Sequence, residues 1–555
     1  MKVNMPIGID NFKKAKEEYY LVDKTRFICQ LIDKHAAVTL FTRPRRFGKT
    51  LTMSMVEYFF SIDKKDESKT LFQDMDVAKA GTSYMEQRGK YPVVFMTLKD
   101  CAELTWEDTY EQFKLFIRKE YKKHPYLLTS NLFSEDEIAA MKRIIMGTAS
   151  DAEYKCSLGD LSAYLYRYFG TKAIILIDEY DAPIQSAYAH GFYDEAISFF
   201  RRWLSIALKG NDSLHFAILT GVLRIAKESI FSGLNNLEVF SVLSTGYGDT
   251  FGFTAEEIKH MAQTLGYADK IDEIRYWYDG YRFGNVEIYN PWSVIMYFSK
   301  GCVPAPYWMR TSDNGILRQL LYQATSLQIE ALQELLEGKA IPASINENIV
   351  YRVLSIEKKA LYTVLLTTGY LTVESVVEHA DSRYLLRIPN EEIKRVYRLE
   401  ILDTLTTETD SDTFENLFDS LLAGRAANFE ALVQELLVYF VSTYDTAKQE
   451  SFYHGFMLGI TALFLNKNYV VESNRESGYG RFDLARFPKD TTKAGVIMEF
   501  KVAPSKAALE EKAKEGVQQI ENKEYIAEFH KRGIQNVWKY GIAFHGKNVM
   551  IRKEK

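Results

Sequence analysis

The chain has 555 residues, 47% of them hydrophobic and 26% charged, with a net charge of -5. That composition excludes a disordered or fibrous chain, the length calls for two or three domains rather than one core, and the negative balance argues against a surface wrapped throughout by nucleic acid. No window approaches the roughly 18 apolar residues of a membrane span, and MKVNMPIGIDNFKKAKEEYY lacks the apolar centre of a signal peptide, so a cytoplasmic protein without a membrane partner is expected.

The first element with chemical content begins at residue 36. AAVTLF (36–41) reads as a short buried strand, TRPRRFGKT as a loop, and LTMSMVEYFF as an apolar helix. Strand, loop and helix are the setting of a phosphate-binding loop. The pattern G-x-x-x-x-G-K-S/T places Gly48, Lys49 and Thr50 at the right offsets, with Arg43 where the first glycine belongs. In that setting backbone N–H groups cradle phosphates, Lys49 meets the β and γ oxygens of ATP, and the Thr50 hydroxyl is a Mg²⁺ ligand. Arg43 and Pro44 stiffen the entry to the loop, which is expected to follow an unusual path.

YPVVFMTL (91–98), KAIILID and HFAILTGVL (215–223) read as further strands of a parallel sheet. Ile174–Ile177 form an unbroken apolar run that ends at Asp178 and Glu179. Acids at the carboxyl end of a buried strand suit Mg²⁺ coordination through Asp178 and activation of a water by Glu179. Asp181 is either a supporting or a turn residue. Thr220, at the tip of the next strand, is a candidate sensor of the terminal phosphate, and Arg224 a candidate for neutralising transition-state charge from its own or a neighbouring subunit.

Several blocks then resemble a known group of bacterial proteins: PIGIDNF (6–12), YYLVDKT (19–25), RPRRFGKT (43–50), LIDEYDAPI (176–184), TGVLRIAKESIFSGLNN (220–236), FGFTAEEI (251–258), YWYDGYRFG (276–284) and IYNPWS (288–293). The group joins an AAA-ATPase-like N-terminal domain to a C-terminal PD-(D/E)XK nuclease-like domain. The resemblance implies ATP binding with an α/β fold, makes Arg43 an expected feature, and extends the nucleotide-binding set to Arg45, Arg46 and Phe47 beside Gly48, Lys49, Thr50, Asp178 and Thr220. Asp23 and Lys24 either meet the edge of the nucleotide base or brace the loop, bracing being the favoured role, and the aromatic, glycine-rich blocks either form a lid or its hinge or serve ordinary packing.

Residues 301–415 read as a mainly helical connector, winged-helix in the alternative, with strand signals at 371–377 and 383–389 and a polar boundary at 403–417. The first domain is therefore expected over 1–300 and the last over 416–555. The last 65 residues, 491–555, hold 13 Lys+Arg against 8 Glu and no Asp, which is +5 and leaves -10 on the rest.

That last domain orders itself as helix, three strands, helix and two strands, the order of the PD-(D/E)XK core. GRFDL supplies Asp483, and MEFKV supplies Glu499 and Lys501 sixteen residues on, two apart and so on one sheet face. Asp483 and Glu499 are candidate Mg²⁺ ligands, Lys501 a candidate to steady hydroxide or the scissile phosphate, Glu472 an extra ligand. Gln519, in QQIENKEY with Tyr525, supports the site from the next helix. His454 and His530 read as packing or surface residues, with a place near the site as the lesser alternative for His454. The whole is expected to be an ATP- and Mg²⁺-dependent enzyme acting on DNA or RNA, a homo-oligomer being possible. The alternative is a nucleotide-switched binding module without efficient cleavage.

Overall fold

The computed structural model describes residues 4–224, 236–308, 326–336, 338–347, 360–378, 382–397, 411–440, 453, 457, 469–477 and 480–554. Two compact units emerge, one of Met1–Gln323 with Gly338–Lys394, the other of Ala324–Glu337 with Arg395–Lys555.

The first unit is organised by five parallel strands, β1 (Val38–Thr42), β2 (Val93–Thr97), β3 (Ala173–Asp178), β4 (Leu214–Gly221) and β5 (Leu237–Phe240), in the order β2-β3-β4-β1-β5. β1 and β3 are buried along their whole length, which explains why their sequences run apolar without alternation. Helices Asp151–Phe169 and Tyr193–Leu208 pack on each other, and Trp203 is enclosed by Phe113 and Phe200. This is the AAA-like α/β architecture expected for the N-terminal region.

Asp23 and Lys24 tie YYLVDKT to segments outside the phosphate loop. Asp23 takes the Thr25 N–H and hydroxyl on one oxygen and the Asp76 N–H on the other, at 2.7–2.8 Å. Lys24 donates to Glu257 and to the Asp249 carbonyl, both at 2.7 Å, and Glu257 closes a capping box with Thr254 at the start of helix Ala255–Leu265.

The middle residues add the ribbon β6 (Tyr281–Phe283) and β7 (Val286–Ile288), and an antiparallel sheet of β8 (Ile341–Ser344), β9 (Thr372–Glu378) and β10 (Arg383–Arg387), ordered β8-β10-β9. The strand signals at 371–377 and 383–389 thus fall on β9 and β10. The helix before them, Ala360–Thr368, is buried at Leu361, Val364, Leu365 and Leu366, so it serves the core.

In the second unit β11 (Tyr469–Ser477), β12 (Gly480–Pro488), β13 (Gly495–Val502), β14 (Val537–His545) and β15 (Asn548–Glu554) form one sheet in sequence order, with only β13 and β14 parallel. Val496, Met498 and Phe500 face a core shared with helices Ser411–Leu422 and Ala426–Phe440. Ile497 packs instead with Ile520 on the opposite side, where helix Leu509–Asn522 lies. Among the described residues no helix is long and apolar enough to cross a membrane.

Candidate functional site

In the first unit, the sheet order sets β1 beside β4 and β4 beside β3, so three carboxyl ends meet at one edge. β1 leads into Arg43–Phe47 and then Gly48, whose φ of 81° begins helix α1 (Lys49–Phe60). That left-handed turn is open to glycine without a Cβ penalty and leaves the unpaired N–H groups of the helix start beside the loop. Lys49 is buried and donates to the carbonyls of Arg43 (3.0 Å) and Pro44 (2.9 Å); burial pushes its pKa down.

Asp178 is the point of convergence. The Thr50 hydroxyl donates to its Oδ2 at 2.6 Å, and the Thr220 hydroxyl donates to Oδ1. The register, with Ile177 opposite Leu219, makes this meeting a consequence of strand pairing. Glu179 follows at φ 51°, an uncommon conformation for a non-glycine residue. Its N–H donates to Thr220 Oγ1 at 3.4 Å, and burial raises its carboxyl pKa against the pull of the Lys49 charge. A hydroxyl and a carboxylate on one spot, with a second acid next to it, form a hard-oxygen donor set that fits Mg²⁺ retaining several waters.

The remaining loop side chains are committed elsewhere. Arg45 Nη2 donates to Gln185 Oε1 at 3.3 Å, the Arg46 guanidinium stacks 4.4 Å over the Trp292 ring, and Phe47 is buried against Tyr281 and Phe283. Phe47 therefore offers a ligand its backbone alone. Trp292 stands at the start of helix Pro291–Ser299, which gives IYNPWS a part in shaping the loop.

Asp181, left open between two roles by the sequence, is buried and accepts the N–H groups of Val222 (2.9 Å) and Leu223 (2.8 Å). Burial raises its pKa, and those two N–H groups oppose the rise. It shapes the exit of β4. Arg224 follows that exit and is half-buried, while residues 225–235 of the block at 220–236 lie outside the described residues.

Glu392 is a buried acid that no sequence motif marks. It is 0% exposed, accepts from the Ser293 hydroxyl and the Trp308 N–H at 2.9 Å each, and its Oε2 has no hydrogen-bond partner among the described residues. Burial pushes its carboxyl pKa up to about 8. The folded state thus keeps a proton that the unfolded chain releases near pH 4.5, so the contribution of Glu392 to stability is full below that pH and falls as pH rises to about 8. The expected slope is roughly 1.4 kcal/mol per pH unit. Glu392→Gln should flatten that slope and be the more stable protein at pH 8, as thermal unfolding at pH 5 and pH 8 would register.

In the second unit the β12–β13 pairing runs over Leu484–Arg486 against Val496–Met498. Beyond it the Phe500 N–H donates to the Asp483 carboxylate at 2.7 Å. The carboxylate, in place of a strand carbonyl, fastens Asp483 to the segment that carries Glu499 and Lys501. Lys501 Nζ donates to Glu499 Oε1 at 3.2 Å, and the Gln519 amide donates to the same oxygen while lying 3.4 Å from the Tyr525 hydroxyl. All four expected residues are brought together.

Glu499 is 2% exposed, and its Oε2 is buried with no hydrogen-bond partner among the described residues. Burial, then the Asp483 charge, pushes its pKa up to about 8. An orphaned carboxylate oxygen next to a second carboxylate fits a divalent cation, which would supply the missing partner. Glu472 does not join them in the manner expected of an extra ligand: Arg532 holds both its oxygens, at 2.9 and 3.1 Å, with the guanidinium over Phe487. His530 is exposed; His454 lies outside the described residues.

Residues 6–231 match the family model described as predicted AAA-ATPase, and residues 448–554 match that of the PD-(D/E)XK nuclease superfamily. The chain is also 28% identical over 549 residues to the uncharacterized protein in the vnfD 5' region of Azotobacter chroococcum mcd 1, an alignment that spans 95% of this chain and 94% of that protein. An AAA-ATPase-like domain and a PD-(D/E)XK nuclease-superfamily domain are therefore both present.

Proposed function

We propose that the N-terminal unit binds and hydrolyses ATP with Mg²⁺, and that this cycle regulates a Mg²⁺-dependent cleavage of DNA or RNA by the C-terminal domain. The observation that carries the reading is the double constellation of acids: Asp178 between the Thr50 and Thr220 hydroxyls, and Glu499 between Asp483, Lys501 and Gln519.

In the first site Lys49 would leave the loop carbonyls for the β and γ oxygens, Thr50 and Asp178 would hold the cation, and Glu179 would orient and deprotonate the attacking water. Its raised pKa suits a group that must accept a proton. Thr220 reads the terminal phosphate, and Arg224 neutralises charge from its own or a neighbouring subunit. In the second site Asp483 and Glu499 would hold Mg²⁺, which when bound supplies charge neutralisation and an activated water. Lys501 steadies the scissile phosphate, and Gln519 holds Glu499 in place. Action in the cytoplasm belongs to the same proposal.

The test is Mg²⁺-dependent cleavage of single- and double-stranded DNA and RNA, with and without ATP, by wild type, Lys49→Ala and Asp483→Ala. Lys49→Ala should lose ATP turnover and the ATP effect on cleavage; Asp483→Ala should lose cleavage and keep ATP binding. Cleavage by Asp483→Ala would overturn the site. Measurable ATP binding with no cleavage under any condition would favour a nucleotide-switched binding module.

A further inference from the structure

One side chain of the first unit touches both the phosphate loop and Asp181, the residue that holds the exit of β4. Gln185 lies in helix Ala182–His190, one turn after Asp181. Its amide oxygen accepts from Arg45 Nη2 at 3.3 Å, and its amide nitrogen donates to Asp181 Oδ2 at 2.8 Å. That same oxygen of Asp181 accepts the Val222 and Leu223 N–H groups, and the Tyr180 hydroxyl donates to the Leu223 carbonyl at 2.8 Å. Asp181 is 2% exposed and Leu223 6%, so water does not stand in for a lost partner. A side-chain amide accepts and donates at once, which no carboxylate or ammonium of similar length does.

We infer that Gln185 is a positioning residue that couples Arg45 of the phosphate loop to the β4 exit, and so to the placement of Arg224. The inference rests on the proposed ATP site. As Arg45 turns towards a bound phosphate, Gln185 loses its donor on one side, and its hold on Asp181 changes on the other. Asp181 passes the change to the two N–H groups that precede Arg224.

Two substitutions separate the halves of the amide. Gln185→Glu keeps an acceptor for Arg45 but sets a second carboxylate against Asp181. Gln185→Lys keeps a donor for Asp181 but repels Arg45. Loss of a hydrogen bond to a charged group corresponds to a factor on the order of tenfold. Gln185→Glu should therefore lower kcat for ATP by about that factor with KM little changed, and Gln185→Lys should raise KM by about that factor with the smaller change in kcat. A merely structural role would move both constants alike in both variants, and that result would overturn the coupling.

A nucleotide-free measurement decides the coupling apart from the ATP reading. Amide hydrogen exchange at Val222 and Leu223 is followed in wild type, Arg45→Ala, Gln185→Leu and the double variant. Arg45→Ala should speed exchange several-fold at these two amides and add nothing in the Gln185→Leu background. Wild-type exchange in Arg45→Ala, or an equal effect in both backgrounds, overturns the inference. Absence of ATP turnover in wild type would instead sink the proposed activity and leave the exchange result to stand by itself.

Discussion

Arg43→Gly is expected to destabilise the N-terminal unit by about 3 kcal/mol or more, and to weaken ATP binding with it, although it restores the glycine that G-x-x-x-x-G-K-T asks for. The Arg43 side chain is fully buried. Its guanidinium donates to the carbonyls of Thr42 (3.0 Å), Phe240 (2.8 Å) and Tyr247 (3.3 Å), and it lies over the rings of Phe251 and Phe283. One side chain thus ties the loop to the end of β5 and to the β6 ribbon. Burial lowers its pKa to about 9, so it remains a cation at neutral pH. Glycine in its place leaves buried carbonyls without a donor and a cavity between aromatic rings, two costs that add.

Arg43→Lys should recover only part of the loss, because a single ammonium lacks the planar fork that reaches several carbonyls at once. Urea denaturation of the two variants beside wild type, followed by ATP titration, checks both statements. A glycine variant as stable as wild type, with unchanged ATP affinity, would show that the guanidinium is dispensable and that the loop follows the ordinary path.

The loop also marks how far the sequence could be read. Gly48, Lys49 and Thr50 were legible because phosphate-loop chemistry fixes their offsets, and β1, β3 and β4 because strands covered on both faces run apolar. The E-x-K pair was legible because a two-residue step returns to the same face. β5 was missed: LEVF is four residues long and only Phe240 is buried. β8 was missed because Pro342 sits in a run of four.

Asp181, Gln185 and Glu392 were opaque for a different reason. Their partners lie 41, 140 and 99 residues away in sequence, at Val222, Arg45 and Ser293. Only the packed topology sets those meetings. The single helix expected between the three strands and the last two of the C-terminal domain divides instead into Leu509–Asn522 and Ala527–Lys531, with Glu524 at φ 53° between them. That reversal returns Tyr525 to within 3.4 Å of Gln519, so the break serves the site.

Gly541→Ala is expected to disable the C-terminal site without altering any of its polar residues. In the parallel register Gly541 lies opposite Glu499. A Cβ at 541 would fall 2.0 Å from the Ala513 carbonyl oxygen and 2.7 Å from the Val517 nitrogen, both backbone atoms of helix Leu509–Asn522. Gly516, on the helix side of the same contact, would bring a Cβ to 3.0 Å from the Gly541 Cα. Helix and sheet therefore meet backbone against backbone at the level of Glu499, and no rotamer change relieves the clash.

The helix must move away, at a cost of about 3 kcal/mol in overpacking strain. Gln519, three residues beyond Gly516, moves with it and leaves Glu499 Oε1. Outer partners of metal-binding carboxylates are worth roughly 10- to 100-fold in affinity or activity. Gly541→Ala should accordingly lower both the urea midpoint of the C-terminal unit and Mg²⁺-dependent cleavage. Gln519→Ala, which removes the bond and creates no clash, should lower cleavage at nearly unchanged stability. The pair separates packing from polar support: wild-type denaturation in Gly541→Ala would mean that the helix tolerates the extra carbon, and the close approach would then not be what holds Gln519 on Glu499.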